Sequence, residues 1–135
     1  MATLHLPSAG TALLLAVVCV ACGSLGAPQS TGMIPLQLRT APTSMPLCRA
    51  AGLAPVRIER EEDALTFVYV ATGGDRPILE WPPGFTARLV NGTAELVAPT
   101  GAVIGREGDI LDDLGGGLDS TGGVFRVCSV DGVVY

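Results

Sequence analysis

From residue 55 onward the chain alternates apolar and polar positions in short runs, and no period of three to four survives for a dozen residues. That pattern predicts strands rather than helices. "PVRIER" sets Val56 and Ile58 against Arg57 and Glu59, "EED" offers a polar turn, and "ALTFVYVA" places Leu65, Phe67 and Tyr69 on one face. "GGDRP" breaks the chain before "ILEW".

The strongest local signal is "FTARLVNGTAELVAP", where Asn91-Gly92 sits between two β runs and suits the positive φ angles of a two-residue type I′ turn. Phe85, Ala87 and Leu89 are expected on one face of its first strand, and Thr86, Arg88 and Val90 on the other. "AVIGR", "ILDDL" and "VFRVCSV" continue the series, and Asp131-Gly132 is placed to fold "VVY" back. Pro82 and Pro83 lack backbone donors, so their segment belongs outside a central strand. The expected fold is all-β, with about seven strands in a small sandwich or partly open barrel of the oligonucleotide-binding type. The Gly108-Asp109 turn tips the expectation toward the barrel.

The N-terminus follows a different pattern. Every residue from Ala12 to Cys22 is apolar, yet eleven residues at about 1.5 Å each cover only about half of a hydrocarbon core about 30 Å thick. Position, length and the small residues that follow suit a secretory signal peptide. The four residues Cys19, Val20, Ala21 and Cys22 resemble the lipobox of bacterial lipoproteins, in which the cysteine is diacylated and becomes the mature N-terminus. Cys22 follows the small Ala21, whereas Cys19 follows Val17 and Val18, so Cys22 is the expected lipid attachment site. Two departures are plain: Cys19 stands where Leu is usual, and residues 1–11 hold no Lys or Arg. Ordinary cleavage after Gly23, giving a secreted product, is the rival; a retained membrane helix is a third reading.

The expected organisation is a signal peptide over 1–21, a lipid-anchored linker over 22–46 and a β domain over 47–135. The linker carries one charge, Arg39, among Gly, Pro, Ser, Thr and Ala. As a random coil it would separate its ends by about 27 Å. "MIPLQL" within it is apolar enough to pack instead as a first edge strand.

Thirteen carboxylates and eight arginines give a net charge of −5, and the chain has no lysine. Nucleic acid is therefore not an expected partner, because binding it rests on neutralising phosphates. His5, the sole histidine, falls in the signal, so the nucleophile-and-imidazole arrangement is not expected either. Carboxylates could still do acid–base work at Asp112 and Asp113 or at Glu61, Glu62 and Asp63, but Asp112 and Asp113 would point to opposite faces if they lie in a strand. Asp109, Asp112, Asp113 and Asp119 surround three glycines and form a weak candidate for calcium; the competing reading is a mobile surface loop. Trp81 and Phe85 are either a candidate ligand surface or the largest pieces of a small core.

"ILEWPPGFTARL" and "GAVIGREGDILDDLGGG" resemble a group of small, uncharacterised extracytoplasmic β domains of GC-rich bacteria. Its members carry a Trp-Pro-x-Gly-Phe element, here Trp81 to Phe85, and a Gly-Asp then Gly-rich element, here Gly108, Asp109 and Gly115 to Gly117. The resemblance covers about residues 47–130 and implies fold and location, not activity. Export also bears on the cysteines: with Cys19 and Cys22 assigned to the signal, Cys48 and Cys128 are expected to form a disulfide, against two buried free thiols. The functional expectation is a membrane-anchored, non-catalytic β domain without a cofactor that binds an envelope partner or small ligand. The alternative is a secreted carboxylate-dependent hydrolase acting on envelope glycans.

Overall fold

A computed structural model describes residues 32–45, 47–48 and 51–135. Cys19, Cys22, the signal segment and the first part of the linker lie outside these residues. No helix forms among the described residues. In chain order the strands are β1 (Ile34–Leu36), β2 (Ala51–Gly52), β3 (Val56–Glu61), β4 (Ala64–Tyr69), β5 (Ile78–Glu80), β6 (Thr86–Val90), β7 (Thr93–Val97), β8 (Val103–Arg106), β9 (Ile110–Leu111), β10 (Leu114–Leu118), β11 (Val124–Val130) and β12 (Val133–Val134). Eleven of them build three sheets, ordered β1-β6-β7-β8, β4-β3-β9, and β10-β11-β12 with β5 parallel to β11. No sheet closes into a barrel, so of the two expected architectures the sandwich-like one fits.

Local chemistry sets the hairpins. Asn91 and Gly92 have φ of 50° and 83°, and Asp131 and Gly132 have 49° and 75°. Both pairs therefore supply the positive φ that two-residue primed turns demand. The first hairpin pairs Val90 with Thr93 through to Thr86 with Val97, and Phe85 and Ala87 are buried as expected. The Pro-Pro-Gly element makes a turn closed by Phe85 N–H donating to the Pro82 carbonyl at 3.3 Å, with Gly84 at φ 87°. Pro83 followed by a positive-φ glycine is the pattern of a type II turn.

Residues 34–41, within the stretch assigned to the linker, are part of the fold: β1 pairs with β6 and the chain stays bonded through Ala41, which donates to the Trp81 carbonyl at 2.7 Å. "MIPLQL" thus contains an edge strand. Gly115 to Gly117 are not a mobile loop but part of β10, with Gly115 and Gly116 buried. A Cβ on Gly116 would run into the Arg126 carbonyl and the Phe125 ring, so this glycine permits close strand packing. Of the two readings of Trp81 and Phe85, the core one fits: they are 0 % and 3 % exposed.

The core joins Val56, Ile58, Leu65, Leu96, Leu114 and Phe125 from all three sheets. An aromatic row crosses it: Phe67 to Trp81 at 5.0 Å, Trp81 to Phe85 at 5.3 Å, and Phe85 to Tyr135 edge-on at 4.8 Å. The buried Trp81 Nε1 has no hydrogen-bond partner among the described residues. Cys48 and Cys128 are disulfide-bonded, with Cα atoms 5.5 Å apart, and tie the chain near β2 to the penultimate strand.

Candidate functional site

The aspartates considered for calcium are dispersed, and among the described residues no three His, Cys, Asp or Glu side chains gather to hold a metal. Asp109 Oδ2 accepts the Arg106 N–H at 2.8 Å and shapes the β8–β9 turn. The Asp113 carbonyl accepts from Asp131 N–H. The Asp119 carboxylate accepts the Thr121 hydroxyl and the N–H groups of Gly123 and Val124. Those bonds, the Thr121 one first, hold its carboxyl below the usual 3.8. The Asp109 and Asp119 carboxylates thus serve local turns. Glu61, Glu62 and Asp63 are exposed at the β3–β4 turn, where Glu62 takes φ 53°.

The two buried carboxylates lie elsewhere and are already engaged. Glu95 sits between Arg88 and Arg106, with nitrogen to oxygen distances of 3.0 Å to each. Glu80 takes Arg126 Nε at 2.8 Å and Arg39 Nε at 3.7 Å. Neither was singled out from the sequence, where "ILEW" and "TAELV" each show only one charged residue in a mostly apolar run.

A cleft of about 450 Å³ lies between β4 and β5. Leu65 to Tyr69 form one wall, Arg76 to Leu79 the other, and Arg39 stands at one end. Successive residues of a strand point to opposite faces, yet five consecutive residues of β4 border this space. Only a cleft running along the strand's edge can meet them all.

The hydrogen-bond pattern shows why that edge is open. Leu65 N–H donates to the Gln37 carbonyl at 2.9 Å, away from β3. Antiparallel pairing alternates the direction of backbone groups, so those of Phe67 and Tyr69 also turn away from β3 and into the cleft. No backbone or side-chain group among the described residues pairs with them. On the other wall, Ile78 N–H donates toward β11 at 2.9 Å, and Trp81 N–H donates the other way, to the Arg39 carbonyl, at 2.9 Å. Leu79 therefore also turns its backbone toward the cleft.

The chain from β1 to Ala41 lies along both walls at one end. It meets β4 in parallel at Gln37 and Ala64, then crosses to meet β5 in parallel at Thr40 and Trp81. Beyond this crossing the walls separate, and the Tyr69 hydroxyl spans them by donating to the Pro77 carbonyl at 2.7 Å. Partial burial pushes the Tyr69 phenol above its ordinary value of 10.0, so it remains a neutral donor.

The lining is apolar apart from Thr66, Tyr69 and two guanidinium groups, and includes no carboxylate. Ile78 is 56 % exposed and Val68 43 %. Arg76 donates to the Ala71 carbonyl at 3.3 Å and, among the described residues, has no carboxylate within 4.0 Å. The other six described arginines each have one. The chain matches no protein-family model, no curated protein and no solved structure.

Proposed function

We propose that this chain is an extracytoplasmic lipoprotein, anchored to the cell membrane through a lipid on Cys22, whose β domain binds a ligand or envelope partner without catalysing a reaction. The observation that carries the binding role is the β4–β5 cleft, a concave apolar space bordered by backbone groups of Phe67, Tyr69 and Leu79 that have no partner among the described residues. Concave, mostly apolar sites with a few placed polar groups are where ligands bind. The lining offers apolar surface and guanidinium groups instead of the carboxylate pair that glycan hydrolysis would use. Support for the anchor is the lipobox-like run ending at Cys22.

The cleft is tested by immobilising the full chain and its Ile78→Arg variant and passing solubilised bacterial envelope over each. A discrete component held by the native chain and released by the variant is expected. Equal retention, or none, overturns the binding role of this cleft. Intact-mass analysis tests the anchor: a diacylated N-terminal Cys22 is expected, and a soluble product beginning at Ser24 overturns it.

A further inference from the structure

We infer that the β4–β5 cleft receives an extended acidic peptide of a partner protein, which adds as a strand to the open edge of β4 and brings carboxylates to Arg39 and Arg76. This rests on the binding role proposed for the cleft and specifies its occupant.

An extended chain is favoured by the shape of the polar surface. The groups turned into the space are the backbone N–H and C=O of Phe67 and Tyr69 on one wall and of Leu79 on the other, spaced as alternate residues of strands. A peptide backbone satisfies such a row at every second residue, as in recognition by strand addition. The protein already makes this contact with itself: the Gln37 carbonyl accepts Leu65 N–H on the same edge of β4, one alternation before Phe67. Its own chain then leaves that edge for β5 and exposes the next two positions.

Charge fixes the chemistry of the occupant. In a chain of net charge −5, the cleft lining holds two arginines and no acid. Glu80 is held more closely by Arg126, at 2.8 Å, than by Arg39, at 3.7 Å, and the Arg39 side chain is 53 % exposed. Arg76 has no carboxylate partner among the described residues, and the neighbouring Asp75 is exposed and forms no ion pair with it. Arginine pairs with carboxylates through geometrically specific, charge-assisted bonds. Exposed Val68 and Ile78 on the two walls supply apolar contact for alternate side chains of the incoming strand.

The experiment is selection of a displayed library of random twelve-residue peptides against the full chain, followed by affinity measurement on the enriched sequences as synthetic peptides. Enrichment of peptides alternating apolar residues with Asp or Glu is expected. Methylation of alternate peptide backbone nitrogens should abolish binding, and Arg76→Glu should weaken it roughly tenfold or more. Arg76→Lys should retain part of the affinity, and unchanged melting of both variants separates charge from folding. Several outcomes overturn the inference: no enrichment, enriched peptides without acidic residues, N-methylated peptides that bind as well as their parents, or indifference to Arg76→Glu. If any of these occurs while the envelope component still depends on Ile78, the cleft binds something other than an acidic strand; if that dependence is also missing, the cleft is not the site at all.

Discussion

The Tyr69 hydroxyl donates to the Pro77 carbonyl across the cleft at 2.7 Å, and this bond joins the end of β4 to the residue preceding β5. Between them run seven residues that include Gly73 and Gly74, both at positive φ. One side chain therefore fixes the spacing of two walls between which no backbone hydrogen bond runs there among the described residues.

Tyr69→Phe is expected to cost about 1 kcal/mol, the net worth of one hydrogen bond, and to speed amide exchange over residues 70–76. Chemical denaturation and hydrogen exchange measure the two effects. Because burial raises the folded-state phenol above 10.0, the folded chain keeps a proton that the unfolded chain releases. Stability attributable to Tyr69 is complete below pH 10 and falls as pH rises from there through the raised value. Tyr69→Phe should flatten that alkaline decline.

Glu95 faces Arg88 on one neighbouring strand and Arg106 on the other, in direct register with both. Its side chain is 8 % exposed, while those of Arg88 and Arg106 are 32 % and 58 % exposed. Glu95→Gln is expected to destabilise the domain by about 1 to 3 kcal/mol, because it removes the charged acceptor shared by two guanidinium groups. Arg106→Gln should cost less than half as much, since water can reach that arginine's position. Urea denaturation midpoints of the two variants check the ordering.

Gly116 and Gly117 are neighbours in β10 with different surroundings. A Cβ at Gly116 meets the Arg126 carbonyl and the Phe125 ring, whereas one at Gly117 meets only Met45 Cε, at 3.4 Å. Gly116→Ala is expected to cost about 1 to 3 kcal/mol or to prevent folding, as overpacking does. Gly117→Ala should lie within about 0.5 kcal/mol of the parent. Equal melting temperatures for the two variants would contradict the close packing of β10 on β11.

What could be read from the chain alone was what local chemistry decides. Asn91-Gly92 and Asp131-Gly132 announce their turns because few residue pairs tolerate positive φ, and the alternation of Val56 with Arg57 needs only a strand with one buried face. The run Gly115 to Gly117 hid a strand, because Gly116 answers a contact with Phe125 on the neighbouring strand that the run itself does not show. "MIPLQL" is open to two readings, linker or edge strand, and β1 takes the second, because proline is tolerated where a strand pairs on one side only. Trp81 was ambiguous because large aromatics serve cores and binding sites alike. The cleft was illegible for a deeper reason: it is made by what β4 and β5 do not pair with, and an unpaired edge leaves no pattern of its own. Arg39 and Arg76 lie 37 residues apart and show no kinship until the fold brings them to one space.

Cys48 and Cys128 close a loop of 80 residues, which in the chain-entropy account removes roughly 4 to 5 kcal/mol of disorder from the unfolded chain. For a domain whose total stability should lie within about 5 to 15 kcal/mol, that is a large share. The bond also has a positional task. It holds the segment before β2 against β11, next to the point where Leu53 N–H reaches the Leu114 carbonyl at 3.1 Å. Replacing both cysteines by serine should therefore lower the denaturation midpoint sharply and loosen residues 51–53 first. The buried position of Cys128, 2 % exposed, adds a polar hydroxyl penalty to Cys128→Ser. Cys128→Ala with Cys48→Ala is thus the cleaner measure of the loop itself. Alkylation of denatured but unreduced protein should modify neither cysteine, and denaturation with and without reductant should differ by the same amount as the double alanine variant. A double variant as stable as the parent would mean that the sheets, rather than the disulfide, set the position of β2.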